Sequence, residues 1–299
     1  METSATPLPS TAIASPPRLS DLVALTKPRI TSTVLATTLS GYFFGQPGHD
    51  GAKLAATVVG TVLVVGGANA LNMYLERDSD RCMRRTSQRP LPAGRMSPGV
   101  ALYFGLGLTL VALLILTFAV NPVAGLLAAI ANTSYVLLYT PLKPRSSAAV
   151  WVGAVPGAIP PLLGWACATG GVDLTGLSLF SILFFWQIPH FHAIALFRQE
   201  EYARAGLKVL PLERGDAVTR QRIALWSLVL LAVSLVPYLL GLTSLAYLAA
   251  ALLLGLPFVT LALSGLRGQV STRWAHRLFG FSIPYLVALF AALLATRVS

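Results

Sequence analysis

Charge is what this sequence has least of. Only 11% of its 299 residues are Asp, Glu, Lys or Arg and 55% are hydrophobic, which excludes a soluble domain and identifies an integral membrane protein. Cysteine is scarcer still. Cys82, beside a run of arginines, and Cys167, in an apolar segment, lie far apart with no metal-ligand spacing, so both read as ordinary packing or loop residues. Residues 1–17 contain no Lys or Arg and no apolar run. They lack the features of a secretory signal or an Arg-rich transit peptide and are expected to form a disordered polar tail.

Long uncharged stretches fill the rest. A helix needs about 20 apolar residues to cross a bilayer. On that measure nine spans are expected, near 29–46, 54–75, 98–120, 123–140, 149–169, 177–197, 223–241, 245–266 and 278–296. The fold class is therefore an all-α integral membrane protein, a nine-helix transmembrane bundle forming one domain over residues 18–299. With nine spans, the N-terminal segment and the connections after spans 2, 4, 6 and 8 hold twenty of the twenty-two Lys and Arg, leaving only Lys53 and Arg297 for the other side. Basic residues stay cytoplasmic, so the N-terminus is expected inside and the C-terminus outside a bacterial cytoplasmic membrane. The net charge of +11 is then confined to short connections and points to topology and an anion site, not to nucleic acid.

Within span 5, Gly153 and Gly157 allow a close helix neighbour, and Pro156, Pro160 and Pro161 are tolerated as they would not be in a soluble helix. Spans 2 and 6 share a coarser pattern. Each runs into a connection holding carboxylates and several arginines, so two charged cytoplasmic loops are expected to face each other at the mouth of a site.

The first of these loops starts inside a helix, in NALNMYLERDSDRCMRRTSQRP. At about 100° per residue, and with Asn69 as origin, Asn72 falls near −60°, Glu76 near −20° and Asp80 near +20°, whereas Asp78 falls on the opposite side. Carboxylates four apart on one face repel, so the pattern calls for a cation. Asp80 can reach Arg84, but Glu76 has no basic residue three or four positions on. An Asn and two carboxylates suit Mg²⁺, which takes its remaining oxygens from water or a substrate phosphate. The bland alternative is a solvated helix end laced with salt bridges. Against it stands the depth of Asn72, a polar group that is costly within a span.

Arg85 and Arg89, Lys143 and Arg145, and Arg198, Arg204 and Lys208 follow spans 2, 4 and 6. Guanidinium groups suit phosphate oxygens, and together with Mg²⁺ and carboxylates at one membrane face they indicate a prenyl diphosphate whose tail lies in the bilayer. In FFWQIPHFHAIALFRQEEYARAGLKVLP, His190 and Glu201 share a face if the helix runs through, while His192 points away. His190 is thus the better site candidate, although an intramembrane His is often a helix–helix hydrogen-bond partner, and Arg198 and Arg204 could simply pair with Glu200 and Glu201.

NMYLERDSDRCMRRTSQRPLPAGR resembles the first signature of the UbiA-type membrane prenyltransferases. RT-x-x-RPL, YTPLK with WVGAVPGAIPPLLGW, and WQIPHFHAIALFRQEEYARAG are similar to signatures of their protoheme IX farnesyltransferase (heme O synthase) branch. The likeness runs from about residue 25 to residue 211, and spans 7 to 9 match only as hydrophobic helices. It departs in detail. Glu76 stands where many relatives have Asp, and Glu201 stands where the family has Asp before Tyr202. Four residues after Glu201 comes Ala205, so the second two-aspartate motif of the quinone-precursor enzymes is missing, which favours the heme branch. LKVLP replaces a more usual proline-methionine pair, so no role carries over to Lys208.

The resemblance implies transfer of a farnesyl group from farnesyl diphosphate to a vinyl group of heme b, giving heme O for heme-copper oxidases. It implies Mg²⁺ held by Asn72, Glu76, Asp80 and Glu201, the leaving diphosphate met by Arg85, Arg89, Lys143 and Arg198, and aromatic shielding of the allylic cation or contact with heme by Tyr139, Phe191 and Tyr202. His190 is expected to contact iron or handle a proton. Prenylation of an aromatic quinone precursor and a non-enzymatic transporter remain as alternatives. A homo-oligomer, and contact with a downstream heme-modifying enzyme, are left open.

Overall fold

The computed structural model describes residues 18–45, 50–267 and 271–298; the expected N-terminal tail lies outside them. Among the described residues there are eleven helices: α1 (Leu19–Leu25), α2 (Pro28–Gly45), α3 (Gly51–Arg81), α4 (Pro98–Val120), α5 (Pro122–Leu142), α6 (Ala149–Thr169), α7 (Leu174–Phe197), α8 (Gln199–Arg204), α9 (Leu210–Leu239), α10 (Leu245–Ser264) and α11 (Thr272–Ala295). Among the described residues no strand forms, only one isolated bridge between Thr243 and Arg297.

Local chemistry sets the helix starts. Asp50, Asn121 and Asp173 cap α3, α5 and α7, each side chain accepting a hydrogen bond from a backbone N–H three residues on, which satisfies a donor that a helix end otherwise leaves bare. Pro98 and Pro122 occupy first-turn positions where no N–H is needed. α4 ends in π-helix over 115–120, α5 widens to π-helix over 134–139 before its last α-helical residues, and α9 breaks its regular geometry at Gly215, whose φ is +80°.

Eight of these helices are long and apolar enough to cross a membrane. The ninth crossing expected from the sequence, α2, has the length but is diluted by Thr and Ser. Ser32, Thr33, Thr37, Thr38 and Ser40 bond their hydroxyls to carbonyls three or four residues back, so these five enter the bundle with their donors satisfied. Helix α2 also packs closely: a side chain at Gly41 would strike the Pro161 carbonyl, and one at Gly164 the Thr38 carbonyl. Gly153 and Gly157 admit the Tyr139 ring and the Gln187 side chain in the same way, as expected of small residues at a membrane helix interface.

Two cores result. Tyr42, Val64, Leu116, Leu127 and Leu163 join α2 to α6, while Leu179, Ile223, Tyr247, Phe258, Tyr285 and Leu289 join α7 to α9, α10 and α11. Large apolar side chains face outward all round, Phe118 being 82% and Leu253 75% exposed, the surface that lipid requires and water would penalise. The chain is a multi-pass membrane protein. A cavity of about 670 Å³ opens between the two cores.

Candidate active site

Apolar residues line most of the cavity, among them Ile30, Val34, Val64, Ile159, Leu163 and Leu286, and one end is charged, with Lys27, Asn72, Glu76, Asp80, Arg85, Arg89 and Lys143 together. The charge is gathered by α3, whose helix continues to Arg81. Asn72, Glu76 and Asp80 therefore keep the common face their spacing predicts, and Asp78 turns outward, 73% exposed, beside Arg77 and Arg81.

Each of the three meets a base from elsewhere in the chain. Asn72 accepts from Lys27 Nζ at 2.8 Å and donates to Thr140 Oγ1 at 3.1 Å, so one buried amide ties the α1–α2 turn, α3 and α5 together. Glu76 Oε1 accepts from Lys143 Nζ at 2.7 Å, and that ammonium also lies 4.3 Å from the centre of the Tyr139 ring. Asp80 Oδ2 accepts from Arg89 at 2.6 Å. The expected Asp80–Arg84 pair does not form: the Thr86 hydroxyl donates to the Asp80 carbonyl at 2.7 Å, turning the loop back under the helix so that Arg89 arrives instead. Asp80 Oδ1 is buried with no hydrogen-bond partner.

The two lysines differ. Burial, reinforced by Arg89, pushes the Lys27 ammonium down to about 7, with Glu76 and Asp80 pulling it only partly back. Burial also works against Lys143, but Tyr139 and the Glu76 carboxylate outweigh it and hold that lysine above its ordinary value. Lys27 sits at φ +49° between α1 and α2, a left-handed conformation costing a non-glycine residue about 1 to 3 kcal/mol, which aims the turn at Asn72.

The second loop is built differently. His190 and Glu201 do not share a continuous helix, because Arg198 leaves helical geometry at φ −119°, ψ 19° and α8 restarts on a new axis. Glu201 instead accepts from Arg198 at 2.9 Å, and neither lines the cavity, whereas Tyr202 and Lys208 do. The loop is fastened to the α5–α6 connection by Lys208 N–H donating to the Lys143 carbonyl at 2.9 Å. His190, Phe191 and Tyr139 line the cavity as well. So does His192, two positions on.

The model for the UbiA prenyltransferase family matches residues 34–294. The chain belongs to the UbiA prenyltransferase family. Within this family it is 51% identical to the protoheme IX farnesyltransferase of Myxococcus xanthus (strain DK1622), over 93% of this chain and 95% of that one. It is 56% identical to the protoheme IX farnesyltransferase of Sorangium cellulosum (strain So ce56), over 81% and 87%. In fold it is similar to digeranylgeranylglyceryl phosphate synthase, with a TM-score of 0.81, 18% identity and 93% of this chain and 98% of that chain covered. A UbiA homologue from Archaeoglobus fulgidus, bound to GPP and Mg²⁺, gives a TM-score of 0.66 at 16% identity, covering 91% and 99%.

For a UbiA chain the donors on α3 suit a hard divalent ion: they are oxygens, and the unpartnered, buried Oδ1 of Asp80 is the kind of group that a cation satisfies. The four-residue ligand set expected from the sequence is not assembled. Among the described residues no three His, Cys, Asp or Glu side chains are gathered closely enough to hold a metal, since Glu201 is turned to Arg198 by the break after α7. The sequence reading also passed over Lys27, Tyr135, Trp186 and Gln187, all of which line the cavity. An intramembrane Gln is itself a signal of a site; Lys27 gave none, its partner being 45 residues away.

Proposed function

We propose that the chain joins the farnesyl group of farnesyl diphosphate to a vinyl group of heme b, giving heme O and diphosphate. The observation that carries this reading is the 51% identity, across 93% of the chain, to a relative named protoheme IX farnesyltransferase. The donor is supported independently by the cavity, whose charged end and apolar wall match an anionic head and a hydrocarbon tail.

Mg²⁺ held by Asn72, Glu76 and Asp80 would neutralise charge on the departing diphosphate. The chain's own cations act beside it. Lys143 and Arg89 are fixed by their carboxylates at the charged end, Lys27 closes the same end, and Arg85 adds a guanidinium at the mouth. Such preorganised charge stabilises the electron pair that passes to diphosphate as the allylic C–O bond breaks. Arg198, held by Glu201, contributes only from a distance. The faces of Tyr139, Tyr202 and Phe191 shield the allylic cation, and the apolar wall of Val64, Ile159 and Leu163 keeps water from it. The vinyl terminus forms the new C–C bond, the inner vinyl carbon takes the oxygen of water, and the surplus proton leaves to solvent. The same reading sets the charged end and the N-terminus on the cytoplasmic side of a bacterial membrane, supported by the twenty Lys and Arg assigned to that side.

The test is to incubate the protein in membranes with Mg²⁺, farnesyl diphosphate and either heme b or a hydroxybenzoate, and to weigh the products. The expected product is heme b increased by one farnesyl group and one hydroxyl. A prenylated hydroxybenzoate with unchanged heme would replace this reading with a quinone-precursor enzyme. No diphosphate release with either acceptor would leave a transporter.

A further inference from the structure

His190 is held in one tautomer. Its Nδ1 lies 2.7 Å from the Ser282 hydroxyl on α11, and that hydroxyl has a single proton, which it donates to the Phe279 carbonyl at 2.7 Å. A carbonyl can only accept. Ser282 Oγ must then accept from His190, so Nδ1 carries the proton and Nε2 keeps a bare lone pair. Ser282 is itself gripped, its carbonyl accepting from Trp186 Nε1 at 2.7 Å. The imidazole is stacked on Trp186 with ring centres 4.5 Å apart and flanked by Phe279 at 4.9 Å. Among the described residues Nε2 has no hydrogen-bond partner, and it is not sealed from the cavity that His190 lines.

A fixed tautomer with one free nitrogen is what a metal asks of a histidine, whose other N–H is nearly always held by an acceptor. A proton acceptor would need more. The imidazolium would have to be stabilised among aromatic rings, and among the described residues no carboxylate bonds this one. Nothing of the kind prepares His192, whose ring makes no hydrogen bond among the described residues though it lines the same cavity.

We propose that His190 Nε2 is the axial ligand to the iron of the tetrapyrrole substrate, and that Ser282 is the positioning residue that presents it. The proposal rests on the heme reading above. Its role in the reaction is to fix the macrocycle's distance and tilt, so that one vinyl edge meets the prenyl carbon.

The experiment is a titration of the full chain in detergent with ferric heme b, read by its Soret and visible spectrum, alongside the product assay. The native protein is expected to show imidazole-ligated heme. His190→Ala should lose that spectrum and regain it when free imidazole is added, a response that a merely structural defect would not give. His192→Ala should keep the native spectrum. Ser282→Ala should weaken heme binding about tenfold, the lower end of what loss of such a supporting bond costs. If His190→Ala keeps the native spectrum while native protein still makes product, ligation by His190 is overturned and the farnesyltransferase reading stands. If the native protein neither binds heme b nor makes product, both fall.

Discussion

The two charged loops at the cavity mouth start from similar material and end in different states. Behind α3, Asn72, Glu76 and Asp80 stay on one helical face and each meets a base. Behind α7, the helix breaks at Arg198, and Glu201 is spent on its neighbour three residues earlier. The carboxylates converge on the cavity where the helix continues unbroken, to Arg81 in α3. Without that continuation the same chemistry collapses into local ion pairs. One loop builds the charged end; the other covers it with Tyr202 and Lys208.

Substitutions can break or sharpen this contrast. The largest effect is expected from Asp80→Asn, which removes the negative charge and replaces one of the two carboxylate oxygens with an NH2 that can neither accept from Arg89 nor hold a cation; Mg²⁺-dependent product formation should fall by about 100-fold or more while membrane insertion persists. Lys143→Ala should come next, leaving the Glu76 carboxylate partly buried without its ammonium, at about 3 kcal/mol in thermal or denaturant unfolding. Adding Glu76→Gln should restore part of that stability without restoring activity. Glu201→Gln should be mild, less than about fivefold in rate, since a half-exposed ion pair is worth at most about 1 kcal/mol. A loss as deep as that of Asp80→Asn would mean that the second loop closes on the diphosphate during turnover and that the contrast is a property of the resting state. Asp78→Asn, on the outer face with Arg77 and Arg81, should change rate and stability least, by about 0.5 kcal/mol or less.

Much of this was legible in the sequence. Eight of the nine expected crossings coincide with helices long and apolar enough to span, because lipid leaves the backbone no alternative to helix; the ninth, α2, forms as a helix but falls short in hydrophobicity. The α3 face could be read from spacing because nothing interrupts the helix before Arg81. The same method failed at Glu201, since FRQEEY contains no Gly or Pro to announce the break at Arg198. Partners were harder still. Lys27 and Lys143 reach Asn72 and Glu76 across 45 and 67 residues, and only the packing of α2, α3 and α5 brings them together. The hydroxyl that fixes His190 lies 92 residues away on α11, a helix whose sequence signalled nothing beyond hydrophobicity.

The most direct test of the central claim is Mg²⁺-dependent diphosphate release from farnesyl diphosphate in the presence of heme b, compared between Asp80→Asn and Asp78→Asn. The account predicts that release is lost in the first and retained in the second. Equal rates in the two variants, whether both normal or both abolished, would contradict it.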